Sequence, residues 1–123
     1  MNIIYHKKKV GMYNQGDIVW VRYPLTEHPE KLKLRPAVVI SHEKSNRLDH
    51  DLLICPVTST LRKTIFSIEL ISSEVTIPLP APSEIRCNKI YTIRSEKIIG
   101  KISSLKTDLL KKVIEVVSMS FRG

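Results

Sequence analysis

Two nearly continuous apolar runs, Asp17 to Tyr23 and Ala37 to Ser41, constrain this chain more than any other feature. Both are dense in β-branched and aromatic residues, which suit a pleated, packed surface. A strand wetted on one side alternates apolar with polar residues. These two do not, as expected for strands packed on both sides in a small barrel. Between them lie the polar or loop-prone residues Pro24 to Leu34, and the chain re-enters the second strand through Arg35-Pro36. That order predicts Arg35 at a strand mouth, beneath a long basic loop carrying Lys31 and Lys33. A planar guanidinium there suits a phosphate or carboxylate, whose oxygens it can meet in pairs. A solvated arginine at a strand end is the plainer alternative.

The rest of the chain continues the pattern. Leu52 to Val57 is a third apolar run. Pro56 cannot donate a ladder hydrogen bond, so the strand is expected at an edge or close to its end. It gives way to the hydroxyl cluster Thr58-Ser59-Thr60. Ile65 to Leu70 alternates, with Phe66, Ile68 and Leu70 facing in. Prolines 78, 80 and 82 exclude a helix from the following loop. Short strands are expected at Ser83–Asn88, Lys89–Ile93 and Lys97–Ile102. The period then changes: Leu105, Leu109, Val113, Val116, Val117 and Phe121 recur at three- and four-residue steps, the apolar face of one helix. Ser104 or Thr107 is the expected cap. The fold class predicted is mainly β with a terminal α-helix, a small barrel. Residues 1–15 read as a loose basic lead-in, and 16–123 as a single domain ending in a helix at about 105–120.

Composition narrows the partners. Lysine and arginine number 20 against 12 acidic residues, a net charge of +8, which favours a polyanionic partner: nucleic acid, an acidic protein or an anionic membrane surface. Cys55 and Cys87 each sit inside an apolar run and read as buried free thiols of a cytoplasmic protein, with no metal signature. No signal sequence and no membrane-spanning run is evident, so an intracellular, soluble protein is expected.

The runs GDIVWVRYP (16–24), RPAVVIS (35–41), CPVTST (55–60), PSEIRCNKIYTI (82–93) and IIGKISSL (98–105), in this order before a terminal helix, resemble the MazF/PemK ribonuclease toxins over roughly residues 16–118. The resemblance implies an SH3-like barrel, a homodimer, and cleavage of single-stranded RNA without a metal or other cofactor. It also implies inhibition by a cognate acidic antitoxin. Attack by the RNA's own 2′-hydroxyl would leave a 2′,3′-cyclic phosphate and a free 5′-hydroxyl. The family's RP arginine falls on Arg35 and its strand-end threonine on Thr58. A late-strand arginine and aspartate found in some members fall on Arg86 and Asn88.

That chemistry needs a pentavalent phosphorus held with its charge neutralised, a base for the 2′-hydroxyl and a proton for the leaving 5′-oxygen. Arg35 suits charge stabilisation, since its pKa is too high for ready proton transfer. Thr58 offers a rotatable donor on a rigid strand end. Lys31, Lys33, Ser59, Arg86 and Asn88 are expected to bind substrate, with Tyr23 as a stacking platform for a base and Tyr91 as another. Trp20 reads as core. Asn88 stands where an aspartate would serve as base, and an amide accepts no proton at neutral pH. His28 and Glu30, in the first loop, are the remaining candidates. Two other readings stay open: a non-catalytic toxin or binding module of the same fold, gripping gyrase or nucleic acid, and a degenerate homologue that only binds its antitoxin.

Overall fold

The computed structural model describes residues 12–24 and 30–122, without the side chains of Tyr23 and Pro24. Among the described residues seven strands form one curled antiparallel sheet: β1 (Asp17–Pro24), β2 (Leu32–Val39), β3 (Asp51–Thr58), β4 (Ser67–Glu69), β5 (Glu84–Arg86), β6 (Tyr91–Arg94) and β7 (Gly100–Ser104). Their order is β4-β5-β3-β2-β1-β7, and β6 also pairs β3. A short helix α1 (Glu43–Asp49) joins β2 to β3, and α2 (Thr107–Arg122) ends the chain. This is the mostly β, small-barrel architecture with a terminal helix that the sequence predicts.

The unbroken apolar runs have a simple cause. Alternate residues of the central strands feed two different cores. Ile18, Val38, Cys55 and Val57 join Ile68, Ile85, Cys87 and the inner face of α2. Val19, Val21, Ala37, Val39, Leu52 and Ile54 face the other way and pack with Tyr13 and Ile98. Helix α2 buries Leu109, Val113 and Val117, each contributing roughly 1.5–3 kcal/mol of transfer free energy. Its last predicted apolar residue, Phe121, is instead 72% exposed. Ser104 does not cap the helix; it lies in β7, and its hydroxyl donates to Asp17 at 3.2 Å. Burial lifts both thiols, with Cys87 adding to the shift at Cys55, and each is pushed up to about 12.

Several boundaries move. Strand β2 begins at Leu32, so the first loop is shorter than its composition suggests, and Arg35 sits within the strand opposite Val21 rather than at its mouth. Local polarity hid this: Lys33 and Leu34 are exposed but still paired through their backbones. Strand β3 is central, not an edge. It pairs β2 on one side, and β6 and then β5 on the other, and Pro56 falls in the gap between the last β6 pair (Ile54 with Tyr91) and the first β5 pair (Val57 with Ile85). The strand still ends two residues later, at Thr58.

Residues before 16 already take part in the packing. Tyr13 is buried in the second core, and the Gln15 amide donates to the Ile40 carbonyl at 2.8 Å. Gly16 then turns the chain into β1 at φ +92, where a Cβ would meet Leu110 of α2 at 3.2 Å. Helix α1 left no periodic signal because it has no apolar face; Leu48 is 79% exposed. It is held instead by buried Asn46, which donates to the Ser41 and Tyr13 carbonyls, and by His42, whose Nδ1 accepts from Lys44 N–H.

Candidate functional site

The β2–β3 ladder pairs Val39 with Ile54, Val38 with Cys55 and Ala37 with Pro56, and stops there. Carried two residues further, the same register sets Arg35 across from Thr58, and strand alternation puts their side chains on one face. With no ladder bonds beyond Ala37, the two strands part and a groove opens between them. It encloses about 390 Å³. Lys33, Leu34, Arg35 and Pro36 of β2 line it together with Val57, Thr58, Ser59 and Thr60 from the end of β3 and the turn after it. Leu79, Pro80, Ala81 and Ser83 of the loop before β5 also line the groove, as do Trp20 and Ile102.

The charge of this lining is one-sided. Two cations and four hydroxyl side chains face the groove, and no carboxylate is among the described lining residues. No carboxylate among the described residues pairs with Arg35 either. Thr58 is nearly buried, and its Oγ1 accepts the Thr60 N–H at 3.1 Å. That bond occupies a lone pair and leaves the hydroxyl proton free to donate. Such a groove can hold an oxyanion through paired guanidinium donors, an ammonium and a hydroxyl. A hollow of about 420 Å³ that shares Leu79, Pro80 and Ala81 with the groove lacks this chemistry, being lined by Leu70, Ile71, Val75 and prolines beside one acidic residue, Glu69.

Of the predicted site residues, the groove gathers Arg35, Thr58, Ser59 and Lys33. Lys31 and Glu30 are exposed and outside its lining. Arg86 is half-buried on β5, paired with Ser67, and Asn88 is exposed in the turn that follows; neither lines the groove. Tyr91 is exposed on β6, also away from it. His28 and the Tyr23 side chain lie outside the described residues. Among the described residues no group of three His, Cys, Asp or Glu side chains is placed to hold a metal, and no helix is long and apolar enough to cross a membrane.

Two contributors escaped the sequence. Trp20, expected in the core, is only partly buried and lines the groove, with its Nε1–H buried and without a partner among the described residues. A run apolar on both faces gives no sign of which residue reaches a cavity. Glu84, 2% exposed, is the other. Its backbone pairs with Thr58, and its carboxylate accepts from Arg62 N–H at 2.9 Å, Lys63 N–H at 3.1 Å and the Ser67 hydroxyl at 2.7 Å. Burial alone would raise this carboxyl's pKa. The bonds from Ser67, Lys63 and Arg62 outweigh it and hold the pKa below the ordinary glutamate value.

A curled sheet of this order with a terminal helix is the fold of the MazF toxins. The chain superposes on MazF from Deinococcus radiodurans with a TM-score of 0.70 at 19% identity, over 87% of this chain and 94% of that one. A MazE–MazF structure from the same organism gives 0.72 at 18% identity, over 91% and 96%. An endoribonuclease in complex with its cognate antitoxin from a mycobacterial species gives 0.67 at 16%, over 88% and 93%. No curated protein sequence matches the chain. The family profile of PemK-like, MazF-like toxins of type II toxin–antitoxin systems matches residues 14–121, and the chain belongs to that family.

Proposed function

We propose that this toxin is an endoribonuclease that cuts single-stranded RNA without a metal, and that an acidic antitoxin neutralises it by covering the same groove. The supporting observation is the lining itself: Arg35 and Lys33 beside Thr58, Ser59 and Thr60, with no carboxylate among the described lining residues to repel a phosphate. In this reading the RNA 2′-oxygen bonds to phosphorus as the bond from phosphorus to the 5′-oxygen breaks. The 2′-proton leaves to solvent and a proton reaches the departing 5′-oxygen, giving 2′,3′-cyclic phosphate and 5′-hydroxyl ends. Arg35 and Thr58 stabilise the charge on the non-bridging oxygens. No described lining side chain is a proton acceptor at neutral pH, so the rate would come from charge stabilisation and alignment.

Membership of the toxin family and the likeness to an endoribonuclease–antitoxin complex support the same reading. The net charge of +8 suits both an RNA and an acidic partner. A homodimer is proposed with it on the family resemblance, and would present one patch of each copy to the other. That no described lining side chain is a base favours one competing reading, a toxin that grips its target without cutting. Incubation with a long unstructured RNA in EDTA separates them. Discrete fragments with cyclic phosphate ends support the nuclease, and intact RNA from folded protein supports the binder.

A further inference from the structure

We propose that Glu84 is a positioning residue: it clamps the turn from Ser59 to Thr64 and, through Thr60, holds the Thr58 hydroxyl as a donor into the groove. This rests on the nuclease reading for its catalytic consequence but not for the clamp. The Thr58 hydroxyl is oriented by the Thr60 N–H, so its direction depends on the path of the turn. Glu84 pins that turn at its far side by taking the consecutive amides of Arg62 and Lys63 on one oxygen.

Its other oxygen takes the Ser67 hydroxyl, and Ser67 Oγ in turn accepts Thr64 N–H at 3.2 Å. Across the β3–β5 ladder the Glu84 backbone pairs with Thr58. The turn is therefore closed at both ends on a single residue. Lys63 sits at φ +52, a left-handed conformation that a side chain of this kind keeps only where its surroundings impose it.

A buried negative charge one strand away from a groove for anions works against binding them, so its presence needs a reason. Holding two adjacent backbone amides is that reason. Both oxygens are engaged and the residue is outside the groove lining, so Glu84 is not the missing proton acceptor. Clamp and base predict opposite behaviour for glutamine. In Glu84→Gln the amide oxygen can still accept from Arg62 and Lys63. Its NH2 can donate to Ser67 Oγ, whose own proton turns to Thr64 Oγ1, 3.0 Å away. Alanine supplies neither.

The test compares wild type, Glu84→Gln and Glu84→Ala in three assays: RNA cleavage in EDTA, native trypsin digestion after Arg62 and Lys63, and amide exchange at Thr60. Glu84→Ala is expected to lose about 100-fold in kcat with KM changed less than about threefold, the effect of a displaced catalytic group. It should also be cut faster after Arg62 and Lys63 and exchange faster at Thr60. Glu84→Gln should restore all three readouts. A glutamine variant that resists trypsin yet loses cleavage as fully as alanine overturns the clamp in favour of proton transfer. So does an alanine variant whose turn amides exchange as in wild type. If Glu84→Ala does not fold, the glutamine variant decides by the same criteria. If wild type cuts no RNA, the nuclease reading falls, and exchange at Thr60 still decides whether Glu84 holds the turn.

Discussion

Replacing Arg35 with alanine tests the groove most directly, because catalysis and stability should part company. A guanidinium about 4 Å from a phosphate oxygen, at the effective dielectric of a protein surface, is worth about 4 kcal/mol. Losing one such donor to a developing oxyanion typically costs about 2.7–4 kcal/mol, or a kcat lower by roughly 10²–10³-fold. Lys33 remains in the lining and keeps part of the binding, so KM should change less. The stability cost should be small. Arg35 is half-buried, and no described carboxylate would be orphaned by its loss. What remains is the weaker β propensity of alanine in mid-strand, at most about 1 kcal/mol, or about 4 °C in Tm for a domain of this size.

Single-turnover cleavage of a defined oligonucleotide gives the first quantity and thermal melting the second. Trp20, the only tryptophan and part of the lining, gives a fluorescence signal for binding. Arg35→Lys should fall between, since it keeps the charge and loses the paired donors. A drop in Tm beyond about 10 °C in Arg35→Ala, or cleavage at the wild-type rate, would refute the reasoning and make Arg35 structural.

Thr58→Val should slow cleavage roughly 10- to 100-fold, the loss of one hydrogen bond to a charged group, while Thr58→Ser stays close to wild type. Combined with Arg35→Ala the losses should be less than additive if both act on one phosphate, which a double-mutant cycle measures. Gly16→Ala should lower stability by about 1–3 kcal/mol in urea unfolding, from left-handed strain and from contact with Leu110. Below pH 5, stability should fall more steeply in wild type than in Glu84→Gln. The depressed carboxyl contributes stability above the ordinary glutamate pKa of about 4.3, and loses it as pH falls through its lower folded value. Parallel acid limbs in the two proteins would remove the linkage.

The sequence by itself determined the elements whose signal is local and strong. Apolar runs on both faces required strands packed between two cores, and the change of period after residue 104 required a helix. Residue types marked Arg35 and the hydroxyls after β3 as suited to a phosphate, and motif order marked the family. Tertiary structure alone decided what meets what. Helix α1 is stabilised by buried Asn46 rather than by an apolar face, so no periodicity announced it.

Arg35 and Thr58 reach one groove because β2 and β3, registered by pairs deeper in the core, both run on past the point where their ladder stops. Arg86 and Asn88 lie on a neighbouring strand and the turn after it, yet outside the groove, and no spacing along the chain encodes that separation. Glu84 was silent for the same reason. A buried carboxylate is identified by the amides that surround it, and those come from a turn more than twenty residues earlier in the chain. Local patterning sets which strands and helices form, whereas the site depends on contacts between segments distant in sequence.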